Sequence, residues 1–125
     1  MLIAIFADIH ANRPAFEACL AHARAQGAGR IVLLGDFVGY GASPEWVVST
    51  VMQLVADGAV AVMGNHDSAV IGSAMDLNGD ARTVIEWTRV QLNMAQQQFL
   101  AGLPLIIPDN ERLFVHADAS APQKP

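Results

Sequence analysis

Short apolar runs alternate along the chain with segments whose apolar residues recur at helical spacing. Residues 2–7 (LIAIFA), 30–34 (RIVLL) and 59–63 (AVAVM) are nearly continuous apolar runs, the pattern of strands covered on both faces of a sheet. The two segments between them have the periodicity of helices that bury one side. The order strand, helix, strand, helix, strand predicts a parallel α/β sheet with right-handed crossovers.

The starts of the two helices are predicted from capping residues. Asn12 can cap a helix that has Pro14 in its first turn, and apolar residues at 16, 19, 20 and 23 form its buried face, which includes Cys19. Ser43 followed by Pro44 is a strong start for the second helix, whose apolar face continues to the glycine at 58.

The rest of the chain predicts one more helix and a hairpin. A polar, glycine-containing stretch spans residues 68–79, after which Val84, Trp87, Val90 and Met94 predict a single longer helix. Residues 103–107 (LPLII), 108–111 (PDNE) and 112–117 (RLFVHA) have the pattern of a strand, a turn and a strand. Residues 120–125 (SAPQKP) have the composition of a polar tail.

Composition and charge exclude several classes of function. A chain of 125 residues with 53% hydrophobic content is predicted to form one domain over residues 1–125. Its net charge of -5 and seven scattered basic residues argue against a nucleic-acid or anionic-lipid surface. With one cysteine there is no internal disulfide, and no stretch has the length of a membrane span or a secretory signal. We therefore expect a soluble, cytoplasmic protein.

Residues that carry chemistry follow the end of each predicted strand. Because the carboxyl ends of parallel strands share one edge of a sheet, we expect these side chains to converge on one crevice. Three of the four histidines are among them. The residues are Asp8 and His10 after the first strand, Asp36 after the second, Asn65, His66 and Asp67 after the third, and His116 after the last.

Each of these motifs taken singly is weak. Alone, Asp-x-His after a strand is a turn with a capping Asp in about two cases out of three, and Gly-Asp is ordinary turn chemistry. His116 alone would more often be a strand-end histidine than a ligand. The run Gly-Asn-His-Asp at 64–67 is harder to explain as a turn. The conjunction of all four lowers the odds of a purely structural explanation to about one in ten.

The residue types favour a metal centre. Carboxylate, imidazole and amide oxygen ligands together suit Mn²⁺, Fe, Zn²⁺ or Ni²⁺. They are more ligands than one ion with an open position needs, whereas two ions about 3.5–4 Å apart that share a carboxylate use them naturally. Such a pair lowers the pKa of a bridging water and clamps phosphoryl oxygens. The glycines that precede Asp36 and Asn65 allow close backbone approach there.

Four motifs of the chain resemble those of the calcineurin-like metallophosphoesterase superfamily: DIH at 8–10, GD at 35–36, GNHD at 64–67 and VHA at 115–117. The resemblance spans residues 2–119. The stretches DIHANRPAFEACL and GDFVGYGASPEWV are similar to its small bacterial and archaeal phosphodiesterase branch. The resemblance implies an α/β fold, the N-terminal half of an αββα sandwich, with a mainly parallel sheet, flanking helices and a C-terminal hairpin.

The resemblance also implies a site with two divalent ions, foremost Mn²⁺, with Fe, Zn or Ni as alternatives. His66 would face the substrate and protonate the leaving oxygen, and Asp67 would orient it. By motif, the first ion is held by Asp8 and His10, the shared ligand is Asp36, and the second ion is held by Asn65 and His116.

The function so implied is that of a phosphodiesterase in which a metal-activated hydroxide attacks a small or nucleotide-like phosphoester. The family's Gly-His-x-His motif does not follow His116, so we expect an N-terminal piece with weaker metal binding. We also expect the sheet surface left uncovered to be buried by a second copy, in a homo-oligomer. The alternative is a catalytically impaired metal-binding or interaction domain of the same ancestry.

Four further residues have two interpretations each. Trp46 and Trp87 favour packing between helix and sheet over substrate stacking. Tyr40 either reaches the mouth of the site or anchors its loop. Arg13 lies close enough to the Asp8 loop to meet a phosphate, but a solvated helix start is the safer interpretation.

Overall fold

The architecture was determined from a computed structural model that describes residues 1–72 and 78–124. Residues 73–77 of the predicted polar stretch lie outside the described residues, as does residue 125 of the predicted tail. Within the described ranges the chain forms five strands and five helices.

A three-stranded parallel sheet forms the centre of the molecule, as predicted. Its strands are β1 (Ile3–Phe6), β2 (Arg30–Leu33) and β3 (Val60–Ala61), in the spatial order β1-β2-β3. Leu33 lies opposite Phe6 on one side and Ala61 on the other, so the carboxyl ends of the three strands are level. The loops that follow them therefore leave from one edge of the sheet.

The first two helices begin where the capping residues predict. In α1 (Arg13–Ala25), the Asn12 side chain accepts a hydrogen bond from the Ala15 backbone N–H at 3.1 Å. Ser43 precedes α2 (Pro44–Ala56) but makes no side-chain cap bond. The prediction that Cys19 is buried is wrong, because the inward stripe of α1 is Phe16, Leu20 and Ala23 and leaves Cys19 exposed.

The core lies between β2 and α2. Both faces of β2 are covered, and the apolar stripe of α2 packs against it without exposure to solvent. Leu33 of β2 shares this core with the fully buried Val47, Val48 and Val51, and Val32 is buried in a second cluster with Val62 and Phe114. This burial confirms the double-sided cover predicted for the second run.

The prediction of double-sided cover is wrong for β1. Leu2 and Ile5 are 54% and 59% exposed. The physical reason is that β1 lies at an edge of the described sheet, beside an open groove of about 440 Å³ between it and α1. β1 therefore presents an apolar surface to solvent.

A short helix, α3 (Asn65–Ile71), begins within the predicted GNHD run and extends into the stretch 68–79 that was predicted to be polar. Gly64 is its N-cap residue, and the Asp67 carboxylate accepts the Gly64 N–H at 2.9 Å. The prediction overlooked that Asp67, three residues after Gly64, can cap from within the helix.

The single long helix predicted after residue 79 is in fact two helices, α4 (Gly79–Gln91) and α5 (Met94–Ala101). Asn93 starts α5 through a reciprocal cap: its side chain accepts the Gln96 N–H at 2.8 Å, and the Gln96 side chain accepts the Asn93 N–H at 3.0 Å. The predicted apolar face is also wrong, because Val90 and Met94 are 80% and 70% exposed. Ile85 and Thr88 are the buried residues of α4.

The hairpin is confirmed, with β4 (Ile106–Asp109) antiparallel to β5 (Arg112–Val115). Asn110 in its two-residue turn has the left-handed φ of 55° that such turns need. A salt bridge of 2.9 Å from Arg30 to Asp109 joins the hairpin to β2. β5 then leads directly into His116. Among the residues described, no helix is both long and apolar enough to cross a bilayer.

Candidate metal centre

The loops after β1 and β2 turn sharply and bond to each other. Asp8, His10 and Asp36 all have left-handed backbone, with φ of 56°, 49° and 57°. Asp8 N–H donates to the Gly35 carbonyl at 3.1 Å, and His10 N–H donates to the Asp36 carbonyl at 2.9 Å. Non-glycine residues in this region cost about 1–3 kcal/mol each, and such strain concentrates at functional sites. In this protein the left-handed backbone directs the side chains of Asp8, His10 and Asp36 toward one point.

Two glycines let the loop after β2 touch the loop after β3, as predicted. A Cβ on Gly35 would lie 2.8 Å from the Gly64 Cα, and one on Gly64 would overlap the Asp36 backbone and carboxylate. Any larger side chain would force the loops apart. The glycines therefore set the distance between Asp36 and Asn65.

The structure brings the five predicted metal ligands together around one carboxylate. Asp36 Oδ2 lies 3.6 Å from His10 Nε2 and 3.3 Å from His116 Nε2. Asp8 Oδ1 is 4.0 Å from His10 Nε2, and Asn65 Oδ1 is 3.0 Å from His116 Nε2. Asp36 is 3% exposed, so its carboxylate is held at the bottom of the cluster.

Within residues 1–72 and 78–124, two overlapping groups have ligand atoms within 4.8 Å of one another: Asp8 with Asp36 and His116, and His10 with Asp36 and His66. Asp36 belongs to both groups, the position that a shared ligand requires. The resemblance pairs Asp8 with His10 instead, and it places His66 outside the ligand set. By distance, His66 also reaches the cluster.

Backbone carbonyls set the tautomers of the two histidines. His10 Nδ1 lies 3.0 Å from the Val38 carbonyl, and His116 Nδ1 lies 2.7 Å from the Leu34 carbonyl. Since a carbonyl only accepts, each Nδ1 carries a proton and donates it, so each Nε2 faces Asp36 and is the nitrogen that can bind a metal ion. Such second-layer bonds orient metal-binding histidines in proteins.

The chemistry of the cluster fits a cation. Two imidazole Nε2 atoms, the Asn65 amide oxygen and the Asp36 and Asp8 carboxylates converge on one another, and all of them can donate an electron pair to a metal ion. Divalent ions of the Mn, Fe, Zn and Ni type accept this mixture of nitrogen and oxygen ligands. The residues present therefore fit a metal centre.

His66 lies beside the cluster. Its backbone N–H donates to Asp36 Oδ1 at 2.9 Å, and its ring centroid is 4.9 Å from that of His10. Burial lowers the pKa of His66, the Asp36 carboxylate raises it, and the charges of His10 and His116 lower it again. The net shift is downward, which favours the neutral imidazole.

The prediction that Asp67 orients His66 is corrected by its contacts. Asp67 is fully buried, and its carboxylate holds backbone N–H groups rather than the imidazole. Burial raises the pKa of Asp67 to about 7, and hydrogen bonds from the backbone oppose this rise. The donors are Asp36 N–H at 2.8 Å and Gly64 N–H at 2.9 Å to Oδ2, and Phe37 N–H at 2.8 Å and Val38 N–H at 3.3 Å to Oδ1.

Tyr40 reaches the mouth of the site, one of its two predicted positions. Its ring centroid is 4.9 Å from both His10 and His66, and the residue is 71% exposed. Arg13 instead follows the safer interpretation, since it pairs with Glu17 at 2.8 Å at the start of α1.

The two tryptophans differ. Trp46 packs as predicted, edge to face on Phe16 with ring centroids 6.3 Å apart, and Arg13 lies over its ring at 4.6 Å. Trp87 on α4 is 42% exposed, which is more than the predicted packing role requires.

Three contributors to the site were not found from the sequence. The Leu34 and Val38 carbonyls act through the backbone, for which residue type gives no signal. The segment predicted to be a polar tail folds back, and the Gln123 side chain donates to the Gly64 carbonyl at 3.0 Å. The composition of that segment gives no indication of this contact.

Comparison with known proteins agrees with this geometry. A family model described as calcineurin-like phosphoesterase matches residues 1–123. The crystal structure of a metallophosphoesterase from Sphaerobacter thermophilus is similar with a TM-score of 0.84 and 38% identity, over 99% of this chain and 49% of that one. The match confirms the fold class, an α/β metallophosphoesterase N-terminal half with a parallel sheet, flanking helices and a hairpin.

Two further relatives are similar over most of the chain. An uncharacterized protein of Methanocaldococcus jannaschii is 36% identical over 128 residues, which cover 98% of this chain and 51% of that protein. A solved structure described as "a putative diadenosine tetraphosphatase" has a TM-score of 0.64 and 27% identity, over 83% of this chain and 43% of that one. The chain thus spans about half the length of the relatives that it matches.

Proposed function

The chain belongs to the calcineurin-like phosphoesterase family, and from that premise we propose that it is a metal-dependent phosphodiesterase with a dinuclear centre. The observation that carries the proposal is the position of Asp36. Its Oδ2 faces the Nε2 atoms of His10 and His116 at 3.6 and 3.3 Å, and each histidine is fixed through its other nitrogen.

Residues of the cluster would hold the two ions, with Asp36 shared between them. We propose that Asp8 and His10 serve one ion and Asn65 and His116 the other, with Mn²⁺ as the first candidate. When bound, such a pair supplies Lewis-acid charge for the phosphoryl oxygens and a nucleophilic water at neutral pH.

His66 is the residue proposed to act on the leaving oxygen. Its ring N–H can donate a hydrogen bond to the oxygen as negative charge develops on it, and in the imidazolium form it can transfer that proton and become the neutral imidazole. Asp67 has a positioning role, since it holds the backbone amides of Asp36 and Gly64 and so fixes both loops. The proposed substrates are small or nucleotide-like phosphoesters, a class that includes the substrate named for one of the similar structures.

Replacement of His66 by Ala tests this assignment. We expect kcat for an aryl phosphodiester with Mn²⁺ to fall by about 10²–10⁴-fold, the usual contribution of a general acid. KM and bound metal should change little. His22→Ala, which removes an exposed histidine of α1, is the matched control and should keep full turnover.

Steady-state assays with and without Mn²⁺, and after chelation, give the measurement. Turnover that is independent of added metal would refute the proposal. Equal rates for His66→Ala and His22→Ala would remove His66 from the mechanism while leaving a metal-dependent hydrolase.

A second candidate is a metal-binding domain that does not catalyse by itself. It is favoured by one observation: the matched relatives are about twice as long as this chain. Bound metal without turnover, and turnover in a longer homologous chain, would support this candidate over the first.

We also propose that β1 is covered by a second copy of the chain. Leu2, just before β1, and Ile5, within it, are more than half exposed, and β1 is an edge strand of the described sheet that can accept further backbone pairing. Sedimentation velocity at micromolar concentration should show a dimer for the parent chain and a monomer for Ile5→Lys. Val90→Lys, at an exposed apolar residue of α4, should remain dimeric. A stable parent monomer would contradict the proposal.

A further inference from the structure

Tyr40 is an exposed aromatic ring on a fixed loop. The residue is 71% exposed, yet its backbone has a left-handed φ of 65°. The next residue, Gly41, donates its N–H to the His10 carbonyl at 3.0 Å. A Cβ on Gly41 would overlap that carbonyl, so the loop lies tightly against the His10 loop. The fold thus holds the Tyr40 backbone in place while leaving the ring in solvent.

The ring of Tyr40 stands next to the proposed reaction centre. The rings of Tyr40, His10 and His66 form a triangle in which each pair of centroids is 4.9 Å apart. An aromatic ring that served only as a loop anchor would bury its face in the protein, because that is how a side chain of this size stabilises a fold. Here most of the ring surface remains available for a ligand.

A small cleft of about 80 Å³ adjoins Tyr40 and His66. Apart from these rings and Asn65, its walls are the apolar side chains of α3 and α4, namely Ala69, Ala81, Val84 and Ile85. Asp8, His10, Asp36 and His116 do not line it. The cleft therefore begins at His66, the residue proposed to meet the leaving oxygen, and extends away from the ligand cluster over an apolar floor.

On the basis of the proposed function, we propose that Tyr40 and this cleft bind an aromatic ring on the leaving group of the substrate, an aryl or nucleobase ring. A phosphoryl group at the cluster with its leaving oxygen at His66 puts the next atoms of the substrate at the cleft. Stacking on Tyr40 and burial against small apolar side chains favour a flat ring there over an alkyl or sugar group. Tyr40 is then a specificity-determining residue.

The test compares two ligands that share a phosphonate and differ by the ring. Phenylphosphonate and methylphosphonate are titrated into the Zn²⁺-loaded chain by calorimetry, at a pH where both are dianions. We expect phenylphosphonate to bind the parent chain about tenfold more tightly, within the range that base stacking on an aromatic side chain contributes. Tyr40→Ala should lose this advantage and keep its affinity for methylphosphonate, whereas Tyr40→Phe should keep both.

Two further experiments distinguish the contribution of the cleft from that of the Tyr40 ring. Ala69→Leu fills the cleft and should also remove the preference for phenylphosphonate. Because the chain has one tyrosine, selective labelling gives a single set of ring signals by NMR, which phenylphosphonate should shift and methylphosphonate should not.

Two results would count against the binding of an aromatic ring by Tyr40 and the cleft. Equal affinity of the parent for both phosphonates, or a ring preference that survives in Tyr40→Ala, overturns it while leaving metal-dependent hydrolysis intact. Failure of both phosphonates to bind the metal-loaded chain overturns the proposed function together with it.

Discussion

Replacement of Asp67 by Ala is expected to lower the free energy of unfolding by about 3–5 kcal/mol. Four backbone N–H groups would lose their acceptor in a fully buried position, and each unsatisfied donor costs about 1–3 kcal/mol before the loops relax. For a domain of ordinary stability, about 5–15 kcal/mol, the loss is a large part of the total. Urea unfolding followed by circular dichroism measures it.

The matched control is Asp57→Ala, at an exposed aspartate that follows α2. Its effect should stay within about 0.5 kcal/mol, as is usual for surface substitutions. The loss in the free energy of unfolding for Asp67→Asn should lie between those for Asp57→Ala and Asp67→Ala. One amide oxygen accepts fewer bonds than a carboxylate, and the amide NH₂ would face other donors. Equal stability of Asp67→Ala and Asp57→Ala would show that the carboxylate does not hold the loops.

The change Asp36→Asn is expected to reduce kcat/KM by about 10²-fold or more, because in the proposed dinuclear centre a neutral amide cannot serve as the shared charged ligand of two ions. Asn keeps the size of the side chain and an oxygen for the His66 N–H, so the fold should be retained. Steady-state kinetics at saturating Mn²⁺, together with the melting temperature, provide the measurement.

Asp8→Asn is the informative comparison, since Asp8 is exposed and belongs to one ligand group whereas Asp36 belongs to both. Its loss in kcat/KM should be smaller and should be partly recovered at high Mn²⁺ concentration. A variant Asp36→Asn that retains parental kcat/KM would show that the shared carboxylate has no role in turnover.

The sequence alone was sufficient for the elements that surround the site. Its apolar runs and caps place β1, β2, α1, α2 and the hairpin, because continuous strands and capping residues are local signals. The convergence of Asp8, Asp36 and Asn65 also follows from strand order, since level carboxyl ends bring loops together whatever their distance along the chain. His116 follows β5 of the separate hairpin, so its place in the cluster does not follow from that order.

The sequence was insufficient for predicting which residues of a helical segment are buried, because packing with neighbouring elements decides between faces that have similar local patterns. Val84, Trp87, Val90 and Met94 have helical spacing, but Asn93 breaks the segment, and tertiary contact buries Ile85 and Thr88 instead. Cys19 similarly lies at the margin of its stripe and is exposed. Periodicity gives the side of a helix only to within about one residue, and contacts with neighbours settle the rest.

The role of Asp67 was missed for a different reason. A carboxylate beside a proposed proton donor has the same sequence pattern whether it holds the imidazole or the backbone. Only the position of the Asp36 and Gly64 amides, 2.8 and 2.9 Å from Asp67 Oδ2, distinguishes the two. The carbonyls of Leu34 and Val38 are likewise visible only once the loops are placed.

The number of Mn²⁺ ions that the parent chain binds tests the central claim most directly. Equilibrium dialysis followed by elemental analysis should give two ions per chain for the parent and at most one for Asp36→Asn, because in the proposed centre both ions share that carboxylate. One ion or none in the parent chain, or two ions retained by Asp36→Asn, would contradict the account.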